Sequence, residues 1–273
     1  MQNWLNDPFV QSAVLPFLGA LVVTALLGRI APRWSGLALV CGVLVTVQVM
    51  NLDMARLDST TKIVLLGVAA AVLGLVRDRV ASGRGWIPAA IFLVGAAAIA
   101  WVIWPVLMRR EGLAFWYLLA GAVVYSGWMW AASELVRDDV QRCAVTAVAV
   151  GTATALCVVL GASAKLGQLG GAVAAAGGAY LAVALVKPSL AGGSVMGLPA
   201  TAFGALLGYA ALVYAKLPWY CLPPIALIPA LARVPVPSGL SRWWRVCILL
   251  AAVAPAVIVA VVLAWRGAGP PPL

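Results

Sequence analysis

The chain has 273 residues, of which 64% are hydrophobic and only 10% are charged, and its formal net charge is +10. Soluble domains usually contain about 25% charged and 45–50% apolar residues. The composition therefore excludes a soluble enzyme, a disordered chain and a collagen-like protein, and it predicts a protein that resides in a membrane.

Ten apolar runs follow one another along the chain, and the charged residues fall almost wholly in the gaps between them. A membrane-spanning helix needs about 20 mainly apolar residues, and a charge inside hydrocarbon is costly. The runs cover residues 9–28, 34–52, 62–76, 86–108, 113–132, 143–162, 166–186, 195–215, 217–232 and 244–265. We predict an all-α fold: a polytopic integral membrane helical bundle of nine or ten transmembrane helices, forming a single transmembrane domain over residues 1–273 with no soluble domain.

The first and third runs raise separate questions. The first lacks the positive start and the small-residue cleavage site of a secretory signal, so we expect it to stay as a membrane span. The third run makes only about 22 Å of helix. We expect Lys62 and Arg77, which flank it, to reach the two interfaces so that it can still cross.

The gap after the fifth run holds three of the eight carboxylates, Glu134, Asp138 and Asp139, beside Arg137 and Arg142. Paired aspartates could hold a divalent ion together with the phosphates of a lipid-linked substrate. A solvated, partly self-paired loop explains the same residues. We favour the loop, because no second acidic motif accompanies the cluster.

A polar corner separates the sixth and seventh runs. It contains Ser163, Lys165 and Gln168 within a connection of only a few residues. One interpretation is a re-entrant corner that contacts the head group of a substrate. The other is a tight helix hairpin whose lysine reaches the interface. Short connections between helices are common, so we favour the hairpin.

Small residues form a stripe on each of two neighbouring helices. Gly167, Gly171 and Gly178 share one face of the seventh predicted helix, and Gly204 and Gly208 form a G-x-x-x-G pair on the eighth. Faces of this kind let helix backbones approach closely within a membrane. We expect these two candidate helix-packing faces to pack against each other.

The ninth run contains four prolines, Pro218, Pro223, Pro224 and Pro229. Each proline inside a helix removes a backbone donor and clashes with the preceding turn. The pattern predicts either a broken helix or a re-entrant segment, and these two alternatives differ in the number of membrane crossings.

The basic residues predict the orientation of the chain. If all ten runs cross, eleven Lys and Arg fall on one side of the membrane and seven on the other. The side richer in basic residues is usually cytoplasmic. We therefore expect a multi-pass protein of the cell membrane whose two termini both lie outside the cytoplasm. The excess of arginine over lysine, fourteen against four, suits a GC-rich bacterial genome and thus a bacterial inner membrane.

The available chemistry is limited. The chain has no histidine, its five cysteines form no C-x-x-C pair, and its carboxylates all lie at predicted loops or helix ends. We expect no catalytic residue, no cofactor and no tightly bound metal ion. Nucleic-acid binding is excluded, because no loop is large enough to present a basic patch. The expected partners are membrane lipids and other membrane subunits.

Three functions fit these features. The first is an accessory or assembly subunit of a larger membrane complex, which suits the shortage of polar groups within the spans. The second is a carrier or permease for a small, lipid or weakly polar solute, which suits the proline-rich ninth run. The third is a membrane enzyme that acts on a lipid-linked substrate. We favour the accessory subunit and keep the other two as alternatives.

Overall fold

Helices form all the regular secondary structure in the part of the chain that the structure describes. The structure, a computed structural model, describes residues 7–80, 85–161, 163–187, 189–190 and 193–268. The helices are α1 (Val10–Ile30), α2 (Pro32–Val49), α3 (Ser59–Arg79), α4 (Ile87–Leu107), α5 (Leu113–Val136), α6 (Val140–Leu160), α7 (Ala164–Val186), α8 (Gly193–Tyr214), α9 (Trp219–Leu231) and α10 (Arg242–Ala268). All of them except α9 are long and apolar enough to cross a membrane. The predicted all-α polytopic bundle is thus confirmed.

Helix α3 is longer than the third apolar run from which it was predicted. It extends over 21 residues, because Asp58 caps its start by accepting a hydrogen bond from the Thr61 backbone N–H (2.7 Å). Its last turn includes Arg77, which is buried and paired with a carboxylate of α5 rather than extended toward an interface. The third run thus belongs to a helix that is long enough to cross a membrane, as expected, whereas the expectation that Arg77 reaches an interface is wrong.

Contacts between helix ends define one end of the bundle. The Lys187 ammonium, after α7, donates to the Gly28 carbonyl near the end of α1 (2.6 Å). The Ser194 N–H at the start of α8 donates to Asp78 near the end of α3 (2.9 Å). Asp139 at the start of α6 pairs with Arg245 at the start of α10. We call this end, where these loops meet, the basic end.

The remaining loops meet at the opposite end. There the Thr46 hydroxyl, near the end of α2, donates to the Gln11 carbonyl at the start of α1 (3.0 Å). The Lys216 N–H, after α8, donates to the Gly161 carbonyl after α6 (3.1 Å). The start of α1 and the end of α10 both lie at this opposite end.

The short helix α9 runs from the opposite end to the basic end. Pro218, just before it, packs on Gly267 in the last turn of α10. Beyond its other end, Arg142 of α6 donates to the carbonyls of Ala232 (3.2 Å) and Val234 (3.0 Å). A re-entrant segment would return to the end from which it started. These contacts therefore favour the broken-helix alternative for the ninth run.

The four prolines explain the length of α9. Pro218 has an extended conformation (φ −65°, ψ 138°), and a single turn of 3₁₀ helix follows it. Pro223 and Pro224 lie in the first turn of the α-helical part, where backbone donors have no helical partner anyway. Only Pro229 lies inside the α-helix. The prolines thus delay the start of the helix more than they interrupt it.

Helix α8 is the core of the bundle. Its most apolar stretch is 94% buried, whereas the corresponding stretches of α1 and α10 are 17% and 28% buried. Phe203 of α8 fits against Gly67 of α3, where a larger residue would overlap the aromatic ring. The other helices therefore surround α8, and α1 and α10 lie at the periphery.

Helices α6 and α7 pack backbone against backbone. A Cβ atom on Gly170 would lie 2.9 Å from the Ala155 Cα, and one on Gly151 would overlap the Ala174 backbone nitrogen. On the same side of α7, Gly177 meets the Ala147–Val148 backbone. These glycines make the close approach possible.

Candidate functional site

An uncharged groove lies between α5, α8 and α9. It has a volume of about 680 Å³, and none of the described residues that line it is charged. Tyr117 and Trp219, which line it, are 74% and 70% exposed on the outer surface of the bundle. Val124 of α5 and Ala226 of α9 contribute apolar surface. The groove is therefore open to the surroundings of the helices.

Two tyrosines cross between α5 and α8 beside the groove, each placed over a glycine of the other helix. A Cβ atom placed on Gly121 of α5 would lie only 2.9 Å from the Tyr209 hydroxyl of α8. The same hydroxyl donates a hydrogen bond to the Leu118 carbonyl (2.6 Å). In the same way, a Cβ atom placed on Gly208 of α8 would lie 2.9 Å from the Tyr125 hydroxyl of α5. A side chain at either glycine would displace the opposing tyrosine.

The two hydroxyls differ in their hydrogen bonding. Tyr209 has its carbonyl partner, whereas the buried Tyr125 hydroxyl has no hydrogen-bond partner in the described structure. Leu222 of α9, which lines the groove, approaches the same point over Gly208 at 3.4 Å. The Tyr125 hydroxyl therefore lies where α5, α8 and α9 meet. A buried polar group without a partner costs about 1–3 kcal/mol.

Helix α9 forms the outer wall of the groove. The Trp128 indole N–H of α5 donates to the Ala226 carbonyl of α9 (2.9 Å), which joins the two walls. Of the four prolines singled out in the sequence, Pro223 lines the groove. The proline-rich segment thus contributes directly to this site.

The acidic cluster is partly self-paired, as the sequence predicts, but Glu134 lies within α5 and its shortest ion pair is with another helix. Glu134 forms a bidentate ion pair with Arg77 of α3, with distances of 3.0 and 2.8 Å. The side chains are 8% exposed for Arg77 and 14% for Glu134. Arg137 also contacts Glu134 (3.4 Å). A charge that is removed from water needs such a partner, so Glu134 joins α5 to α3.

The two aspartates of the cluster have different environments. Asp139 caps α6 by accepting from the backbone N–H groups of Gln141 (3.0 Å) and Arg142 (3.3 Å), and it pairs with the Arg142 and Arg245 side chains. The Asp138 side chain is 87% exposed. Among the described residues, no three His, Cys, Asp or Glu side chains are grouped so that they could hold a metal ion.

The polar corner forms a tight turn at the opposite end. The Ser163 N–H donates to the Val158 carbonyl (3.1 Å), and the Lys165 side chain is exposed. Ser163 and Gln168 are half-buried. None of the three lines the groove. This geometry is that of a helix hairpin.

The five glycines singled out in the sequence contact several different elements. The expected packing of the two glycine faces against each other is wrong, because a small face shows where a close contact is possible but not with which helix. The neighbouring residues are Val159 for Gly167, Ser12 for Gly171, Phe17 for Gly178, Val150 and Met129 for Gly204, and Tyr125 and Leu222 for Gly208.

The sequence interpretation did not include Tyr125, although a signal for it exists. Gly121, Tyr125 and Trp128 recur at helical spacing along the fifth run, and they share the face that lines the groove.

Comparison with protein-family models and with curated proteins found no match. The function is therefore inferred from the geometry of the chain itself.

Proposed function

We propose that the protein binds a lipid-soluble molecule in the groove between α5, α8 and α9 and acts as a carrier for it within the membrane. The observation that supports this proposal is the groove itself, which is open, uncharged and lined by aromatic and aliphatic side chains. Its volume of about 680 Å³ lies within the usual range for small-molecule sites.

The lining favours a molecule that arrives from the lipid phase. A water-soluble substrate would bring polar groups that need partners, and each one left unpaired would weaken binding. The carbonyl of Leu118 and that of Ala226 already accept hydrogen bonds from Tyr209 and Trp128. The groove therefore suits a largely apolar body.

Helix α9 is the part of the wall best suited to move. Its α-helical part has only ten residues, and it follows a 3₁₀ turn and an extended proline. Short helices depend on their surroundings for stability. We expect that loss of the Trp128–Ala226 hydrogen bond lets α9 move away from α5 and widens the groove.

The groove changes the order of the three functions that the sequence suggested. We now favour the carrier, because it is the function that requires a groove that binds a molecule. The accessory or assembly subunit stays a prediction from the sequence. The enzyme that acts on a lipid-linked substrate depends on the paired aspartates Asp138 and Asp139, of which Asp139 is engaged by Arg142 and Arg245 and Asp138 is exposed. It stays a prediction from the sequence.

We also propose that the basic end faces the cytoplasm. Of the basic residues that the structure describes, most lie at this end, including Arg142, Lys187 and Arg245. The positive-inside rule then places the start of α1 and the end of α10 outside the cytoplasm.

A groove-filling variant tests the carrier. Val124 is 62% exposed within the groove, so Val124→Trp should fill it, and Val259→Trp on the exposed face of α10 is the matched control. Each protein is purified in mild detergent, and its organic extract is analysed by mass spectrometry. We expect a stoichiometric apolar molecule with the wild type and the control and its loss from Val124→Trp. Reconstituted wild-type protein should then accelerate movement of that molecule between membranes.

Equal amounts of the molecule in all three extracts would contradict binding in the groove. If Val124→Trp instead released a protein that co-purifies with the wild type, the accessory-subunit function would replace the carrier.

A further inference from the structure

We infer that the molecule bound in the groove is a neutral lipid with an oxygen atom that accepts a hydrogen bond from the Tyr125 hydroxyl. This inference rests on the proposed function and specifies the class of molecule that the groove takes.

The hydroxyl is the first line of support. Tyr125 is 8% exposed and lines the groove, and its hydroxyl has no hydrogen-bond partner among the described residues. The hydroxyls of Thr146, Thr154 and Ser194 are also buried without a partner, but none of these residues lines the groove. Two other hydroxyls of the bundle do have partners. Ser126, the next residue, donates to the Gly95 carbonyl (2.9 Å), and Tyr214 donates to the Val102 carbonyl (2.9 Å). An unpaired phenol at the edge of a ligand-sized groove is explained if the ligand supplies the acceptor.

The position of the hydroxyl is the second line of support. It lies over Gly208, together with the Leu222 side chain from the wall of the groove. Its ring is tilted by 32° to the ring of Tyr209, with the centroids 6.1 Å apart. The hydroxyl is buried, so a ligand that enters between α5 and α9 must displace part of its cover, such as the Leu222 side chain, to reach it, with its apolar part toward Val124 and the membrane.

The absence of charge among the described lining residues identifies the ligand as neutral. A phosphate or an ammonium group in this groove would have no partner of opposite charge there. Such a group would lose its water without compensation. A carbonyl or a hydroxyl, in contrast, needs only the one donor that Tyr125 offers.

Two probes that differ in one oxygen atom test the inference. 2-Heptadecanone and heptadecane are added separately to the delipidated protein in detergent, and the amount that co-elutes with it is measured against empty micelles by gas chromatography. We expect the wild type to retain about two- to tenfold more ketone than alkane, the range that one neutral hydrogen bond supplies. Val124→Trp should retain neither probe.

Two tyrosine variants identify the donor. Tyr125→Phe should bind both probes equally and should melt no lower than the wild type, because its hydroxyl has no internal partner to lose. Tyr209→Phe should keep the preference for the ketone and should melt at a lower temperature, because it loses the hydrogen bond to Leu118.

Each other outcome contradicts a defined statement. Equal retention of both probes by the wild type, with loss of both from Val124→Trp, would overturn the inference and leave the proposed function standing. A ketone preference that persists in Tyr125→Phe, or a strong drop in its melting temperature, would also overturn the inference. Retention of neither probe by the wild type would overturn both.

Discussion

Breaking the ion pair between Arg77 and Glu134 should be strongly destabilising. The two side chains are 8% and 14% exposed and share two hydrogen bonds, so Glu134→Gln leaves a largely buried guanidinium without its counter-ion. Removal of one partner of a buried pair typically costs about 3–5 kcal/mol. Arg77 keeps its hydrogen bond to the Val80 carbonyl (3.1 Å). We therefore expect Glu134→Gln to lower the free energy of unfolding by about 3 kcal/mol, the lower end of this range.

The assay is thermal unfolding in detergent, followed by tryptophan fluorescence. By the scaling of soluble proteins of similar size, about 3 kcal/mol lowers the midpoint by roughly 6–12 °C. Asp138→Asn is the control, because that carboxylate is 87% exposed and should contribute at most about 1 kcal/mol. The double variant Arg77→Leu with Glu134→Leu should recover most of the loss, because it leaves no unpaired charge. The reasoning is refuted if Glu134→Gln and Asp138→Asn have the same midpoint.

Three further predictions concern packing, capping and topology. The added methyl group of Gly151→Ala would overlap the Ala174 backbone, so we expect the free energy of unfolding to fall by about 1–3 kcal/mol, measured by thermal unfolding. Gly85→Ala, where the added methyl group meets open space, is the control. An equal effect of the two substitutions would contradict the close packing of α6 and α7. Asp78→Ala removes the acceptor of the Ser194 N–H and should lower the free energy of unfolding by about 1 kcal/mol in the same assay. An unchanged midpoint would show that water replaces the lost acceptor. Reporter fusions at the two ends of the chain should both read non-cytoplasmic, and a cytoplasmic reading at one end alone would show that α9 does not cross.

The sequence predicted the class of the protein and most of its helices, because those features depend on local composition. A long apolar run is costly to leave in water, so the nine long helices of the described residues were visible as runs. The length of α3 was underestimated, since its ends depend on the cap at Asp58 and on the ion pair of Arg77. The prolines indicated the unusual ninth segment, but two different paths of the chain were compatible with them.

The partners of particular side chains could not be predicted, because they depend on which helices become neighbours. Gly208 was recognised as a small residue, yet its role is to make room for Tyr125 on a helix about 80 positions earlier. Glu134 was placed in a loop cluster with its sequence neighbours, although its strongest partner lies on α3. The composition indicates that small residues need close neighbours and that buried charges need partners. Which residues form these contacts depends on the tertiary arrangement of the helices.

The burial of α8 has a consequence for biosynthesis. Because its apolar stretch is almost fully enclosed by other helices, its final environment in the membrane is protein rather than lipid. The helices that cover it on the α3, α5 and α6 sides precede it in the chain, and α9 follows. The ribosome would therefore release α8 after most of the helices that enclose it, and the enclosure of α8 would be complete once α9 had packed on it. The groove lies at this junction, between α9 and the helices α5 and α8 that are synthesised before it.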